Sequence, residues 1–171
     1  MKEDMLEVLI YLFENYIVDG VSFEPGQHEL AQELEGAGFG GEEIDKAFVW
    51  LEDLMDICEQ DESRRLQSND AESPEHPQST WNSLRFYTED EIERLKTEGQ
   101  SLLTRLVNVG VLDLYSREMV IDRVMALDSE DVNIDHIKWV VLMVLSNQPG
   151  FAEIAEWAEV VVSGDLVPVI H

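Results

Sequence analysis

Apolar residues recur at spacings of three and four through most of this chain, and where that rhythm fails the residues are polar, glycine or proline. Met5, Val8, Leu9, Leu12, Phe13, Tyr16 and Ile17 form the first stripe and predict an amphipathic helix over 2–18, closed by Asp19-Gly20. Leu30, Ala31 and Leu34 predict a second helix over 26–37, and the glycines at 36, 38, 40 and 41 mark the turn after it, with Phe39 inside. A third helix is expected over 42–59. Ile44, Ala47, Phe48, Leu51, Leu54 and Met55 make its inward stripe, while Glu42, Glu43 and Asp45 meet the positive end of its dipole. These helices form a compact N-terminal module, residues 1–59, in which the stretch from Leu30 to Leu54 has a helix-turn-helix outline.

The rhythm stops at 60–83, a polar stretch with two of the five prolines, read as a linker with Trp81 near its end. Leu84 to Tyr87 and Val111 to Tyr115 are candidate short strands that would pair as one two-stranded ribbon. Between them, Thr88 and Glu91 stand at capping-box spacing and predict a helix to about Val109, striped by Ile92, Leu95, Leu102, Leu103 and Leu106 and interrupted at Gly99. Ser116 is the expected cap of a helix over 117–127, with Met119, Val120, Val124 and Leu127 inward. The longest apolar run lies in 133–148, where Trp139 to Leu145 are seven apolar residues in succession. With Asn133 as cap, Asp135 in the first turn and Pro149-Gly150 as stop, it reads as a helix surrounded by protein on all sides. Its length of about 21 Å falls short of a bilayer core of about 30 Å. Ile154, Ala155, Trp157, Ala158 and Val161 predict a last helix over 151–162 and a frayed tail from Ser163. The fold class is therefore all-α or mainly α, with a second module over 84–171 built around the helix at 133–148.

Composition narrows the chemistry. A hydrophobic content of 44% is that of a globular protein, but 37 acidic residues against 11 Lys and Arg leave a net charge of −26. Such a surface repels phosphate backbones and anionic membranes, so direct duplex DNA binding is not expected, and a basic protein or ribonucleoprotein is the partner it favours. The single cysteine, Cys58, rules out an internal disulfide and fits a reducing compartment; the start of the chain does not resemble a secretory signal. A cytoplasmic location is expected.

No catalytic or ligand motif emerges. His28, His76, His136 and His171 are scattered without metal-ligand spacing, and Cys58 has acidic neighbours, Asp56 and Glu59, that oppose a thiolate. A calcium loop begun at Asp131 fails, because His136 stands where the turn needs glycine and Leu142 where a bidentate Glu belongs. There is no phosphate-binding loop, dinucleotide fingerprint or nucleophile elbow. No cofactor, metal ligand or catalytic residue is assigned, and the protein is read as not an enzyme. Phe39, Trp50 and Trp81 are the candidates for partner contact, and Trp139 and Trp157 belong to the core.

Two functional readings follow. The first is a non-enzymatic interaction or regulatory protein whose acidic surface binds a basic protein partner. The alternative is a nucleic-acid-associated regulator that uses the helix-turn-helix-like module within a complex. The predicted second helix of that module carries Glu42, Glu43, Asp45, Glu52 and Asp53 against Lys46, the wrong sign for a major-groove reader. The only basic reservoir is then Arg85, Arg94, Lys96, Arg105, Arg117 and Arg123.

Four stretches, MLEVLIYLFENYI from Met5, GFGGEEIDKAFVWLEDL from Gly38, RFYTEDEIERL from Arg85 and, most specifically, REMVIDRVMALDSEDVNIDHIKWVVLMVLSNQPG from Arg117, resemble the bacterial Smg family. The resemblance implies a cytoplasmic bacterial protein commonly encoded near genes for DNA topoisomerase, DNA-processing and peptide deformylase proteins, and it carries over no activity or catalytic residue.

Overall fold

The computed structural model describes residues 4–17, 26–68 and 85–148. Among them are six α-helices and no strand: α1 (Met5–Leu12), α2 (Gln27–Gly36), α3 (Gly41–Ser68), α4 (Glu89–Asn108), α5 (Leu114–Met125) and α6 (Ile134–Ser146). The mainly α reading therefore holds.

Asp4 caps α1 by accepting from the Leu6 amide at 3.2 Å, and Met5, Leu6, Val8, Leu9 and Leu12 are buried. The expected single helix to 18 instead widens into a π-helical turn at Phe13–Ile17. The turn from α2 to α3 is a Schellman closure. Gly38, at φ 98°, donates to the Glu35 carbonyl, and the Phe39 amide reaches back to Leu34 at 3.1 Å. Phe39 is thereby placed at the residue that closes such a motif with an apolar contact, and its ring meets Tyr11 edge-on at 5.6 Å.

α3 runs to Ser68, nine residues past its expected end at Glu59. The added residues, QDESRRLQS, are polar apart from Leu66 but contain no proline or glycine, and Gln, Glu, Arg and Leu all favour helix. The candidate strand from Val111 to Tyr115 is a correction. Gly110, at φ 81°, closes α4 with a second Schellman motif through Val111 to the Leu106 carbonyl at 2.9 Å, and α5 has already begun at Leu114. No ribbon with Arg85 to Tyr87 forms, and Leu84 lies outside the described residues. Ser116 is not the cap of α5 but the reciprocal partner in a capping box headed by Asp113. The Thr88–Glu91 box at the start of α4 forms as expected.

α6 is the central element. Asn133 caps it, and Ile137 and Val140 to Leu145 are buried. Trp139 is only half-buried, packed edge-on against Phe13 at 5.8 Å. α4 and α5 pack on α6, while α1 and α2 pack on α3. Gly99 makes room for the Ile137 side chain of α6 against α4, because a Cβ there would stand 2.5 Å from Ile137 Cδ1.

The buried side chains of all six helices form one cluster. α3 joins α5 through reciprocal bonds. Trp50 Nε1 donates to the Arg123 carbonyl at 3.0 Å, and the Arg123 guanidinium donates to the Trp50 carbonyl at 3.3 Å. Two residues expected on inward stripes, Met55 and Ile92, are instead exposed. The helix expected over 151–162, with Trp157, lies outside the described residues, as do Trp81 and most of the stretch read as a linker.

Candidate functional site

Glu42, Asp45, Lys46, Val49, Trp50 and Asp53 fall at spacings of three and four, which sets them on one face of α3. Met5 at the start of α1, and Ala126 and Asp128 beyond the end of α5, close that face into a groove of about 400 Å³. Its floor is apolar, made by Met5, Ala126 and the buried ring of Trp50, and Val49 stands at the surface 57% exposed. Carboxylates from Glu42, Asp45, Asp53 and Asp128 rim it.

Trp50 is held as a fixed floor by its bond to the Arg123 carbonyl and by the Arg123 guanidinium 5.7 Å from its ring. Arg123 in turn is neutralised by Asp122 at 2.8 Å and by Asp53 at 3.7 Å. Among the described residues the one cation inside the rim is Lys46, 34% exposed, with its Nζ 2.7 Å from Asp128, 3.0 Å from Glu42 and 3.5 Å from Glu43. Hydrogen bonds to Asp128 and then Glu42 hold the ammonium above its ordinary range, and the bond from Lys46 holds Asp128 below its own. Lys46 and Asp128 therefore stay charged across the physiological range.

A second concavity of about 490 Å³ runs along the outer face of α4, lined by Tyr87, Thr97, Ser101, Thr104, Arg105 and Asn108 among others and, among the described residues, by no carboxylate. The remaining cations of the expected basic reservoir are committed. Arg85 forks onto Glu91 and Glu118, Lys96 lies 3.7 Å from Asp131, and Arg117 pairs with Glu118. Arg94 donates to the carbonyls of Val124, Leu127 and Ser129.

Of the three contact candidates, Phe39 and Trp50 are buried and Trp81 lies outside the described residues. Trp50 nonetheless touches the groove from beneath. His136 serves the capping box of α6, and Cys58 is half-buried 3.8 Å from the Met119 sulfur. Among the described residues no His, Cys, Asp or Glu group is arranged to hold a metal ion, and no helix is long and apolar enough to cross a membrane.

The groove is absent from the sequence reading because its walls come from three separate stretches. Its one local signal is Val49, an apolar residue outside the inward stripe of α3 with Asp45 and Asp53 one turn to either side.

A family described as "Protein of unknown function (DUF494)" matches residues 5–171. The chain is 43% identical over 171 residues to "Protein Smg homolog" of Nitrosococcus oceani, covering 100% of both chains. It is 43% identical over 159 residues to the protein of that name from Thioalkalivibrio sulfidiphilus, covering 93% of this chain and 92% of the relative. Over 160 residues it is 44% identical to the "Protein Smg homolog" of Halorhodospira halophila, covering 93% of this chain and 92% of the relative. No solved structure matches.

Proposed function

Since the chain belongs to the Smg family, described as DUF494, we propose that it is a non-enzymatic interaction or regulatory protein of the bacterial cytoplasm that binds a basic protein partner through the α3 groove. The observation that carries this reading is the combination of an apolar floor with four rim carboxylates in a chain of net charge −26. Apolar area supplies affinity, while the surrounding charge steers encounter and selects partners of opposite sign. The engagement of Arg85, Arg94, Lys96, Arg117 and Arg123 within the protein supports a protein partner over nucleic acid, because phosphate binding needs cations to spare.

The test is capture of partners from bacterial cytoplasm at about 0.1 M and then about 0.5 M salt, between which screening tightens from about 10 Å to a few Å. It is followed by binding of the purified partner to an Asp45→Lys, Asp53→Lys double variant. The expected partner is a basic protein that is released at the higher salt and does not bind the charge-reversed groove. Retention at high salt, indifference to the double variant, or recovery of nucleic acid alone would overturn the reading.

A further inference from the structure

Lys46 lies inside a rim that is otherwise acidic, and its ammonium touches three carboxylates at 2.7, 3.0 and 3.5 Å. Two of them, Glu42 and Asp128, are 82% and 62% exposed, so water reaches the ion cluster. Exposed pairs of this kind are individually weak, and the four-carbon stem of lysine lets its head swing out into solvent at little cost. With Lys46 turned away, Glu42, Asp45 and Asp128 would face one another with no cation between them and would attract any positive group brought to the groove.

Resting on the docking reading above, we infer that Lys46 occupies the position of a partner's basic side chain and acts as a built-in competitor that sets the groove's affinity. The occupant is a short segment of a basic protein with one apolar residue flanked by Lys or Arg. The apolar residue seats against Val49 and over the floor of Met5, Trp50 and Ala126, and a neighbouring basic side chain displaces Lys46 from Asp128 and Glu42. Charge complementarity selects this occupant. An acidic or neutral segment would leave the rim carboxylates unmatched, and a purely basic one would leave the apolar floor uncovered. The arrangement also gives selectivity, because an incoming cation must do better than a lysine already in place.

The probe is a fluorescein-labelled synthetic peptide of one leucine flanked on both sides by lysines, titrated by anisotropy against the full chain at about 0.1 M salt. Lys46→Gln should bind it about three- to tenfold more tightly than the parent chain, the scale expected for removing a weak exposed ion cluster. Lys46→Arg should bind as the parent does, and the advantage of Lys46→Gln should collapse at about 0.5 M salt. Lys138 pairs with Asp135 and does not line the groove, so Lys138→Gln makes the same change in net charge elsewhere and should leave affinity unchanged. Val49→Ser, or serine for the peptide's leucine, should weaken binding. If the Asp45→Lys, Asp53→Lys double variant abolishes binding but Lys46→Gln does not tighten it, or Lys138→Gln tightens it equally, the competitor role is overturned and the docking reading stands. If no saturable binding occurs, or if it ignores both the double variant and the leucine, the docking reading falls and the role of Lys46 with it.

Discussion

Among the described residues the backbone departs furthest from ordinary geometry at Lys96, which sits inside α4 at φ 54°, ψ 176°. That combination is accessible in practice only to glycine, and a side chain there costs about 1–3 kcal/mol. The bend it makes falls three residues before Gly99, where α4 approaches α6 so closely that a Cβ would stand 2.5 Å from Ile137 Cδ1. Opposite effects follow for two small substitutions. Lys96→Gly relieves the strain and gives back about 0.5–1 kcal/mol as chain entropy, so it should stabilise the fold by about 1 kcal/mol in urea unfolding. Gly99→Ala should destabilise it by about 1 kcal/mol or less, because the added Cβ meets the terminal methyl of Ile137, which can turn aside, and alanine favours helix over glycine. A loss of about 3 kcal/mol would mean that Ile137 has no room to turn.

At the scale of elements, the start of α4 is tied to α5 by one arginine. Arg85 gives both ends of its guanidinium fork to Glu91 at 2.9 Å and reaches Glu118 at 2.7 and 2.8 Å. Glu91 also accepts from the Thr88 amide at 2.9 Å, so one carboxylate caps the helix and anchors the arginine. Hydrogen bonding from Arg85 lowers Glu91 from its ordinary 4.5 to about 2. Burial would raise Glu118, but hydrogen bonds from Arg85 and Arg117 outweigh it and hold that group low as well. A carboxylate depressed on folding contributes stability above its unfolded pKa, and this is lost as pH falls through the folded value. Glu91→Gln should therefore be less stable than the parent near pH 7, and the two denaturation curves should converge between about pH 4 and pH 2. A constant gap across that range would show that Glu91 acts only as a neutral cap. Much of this level could be read in the chain itself. The Thr88–Glu91 box, the Asn133 cap and the buried run of α6 depend on residues within one turn of each other, and they formed as expected. What escaped was set by two kinds of competition. Val111 to Tyr115 has strand-like residues, but Gly110 and Asp113 close one helix and open the next around it. Residues 60–68 lack an apolar rhythm but also lack any breaker, and α3 continues through them. The groove beside α3 was illegible because no single stretch contains it, with Met5, Val49 and Asp128 meeting only in the folded chain.

For the whole molecule, the informative balance is between a shared core and a large unbalanced charge. The six helices bury their apolar faces in one cluster, and the side chains of Trp50 and Arg123 each donate to the other's backbone carbonyl across it. Trp50→Phe keeps most of the ring's packing but leaves the Arg123 carbonyl without its indole donor. A loss of about 1–2 kcal/mol is expected in urea unfolding, with the whole chain unfolding in one transition because the core is shared. A local loss confined to α3, seen as a separate early transition, would contradict a common core. The charge acts against this cohesion. Eleven cations can neutralise at most eleven of the 37 carboxylates, and the excess of 26 repels itself in the compact state more than in the expanded one. Salt affects both sides, since it weakens the ion pairs of Lys46, Lys96 and Lys138 and also screens the repulsion. The first effect is small, because exposed pairs such as these are individually weak and Arg85 and Arg123 are held by hydrogen bonds in partly or fully buried positions. The second acts over every carboxylate within about 10 Å of another, and so it dominates. Raising sodium chloride from about 0.02 M to about 0.5 M should increase the urea midpoint, with most of the gain below about 0.2 M, where the Debye length changes fastest. A midpoint that falls with salt would place the net stability in the ion pairs instead. Lys46→Gln should then make that fall shallower if the cluster at the groove were among them, because its pairs are no longer there to be screened, whereas under repulsion, where the midpoint rises with salt, the added net charge of Lys46→Gln makes the rise steeper.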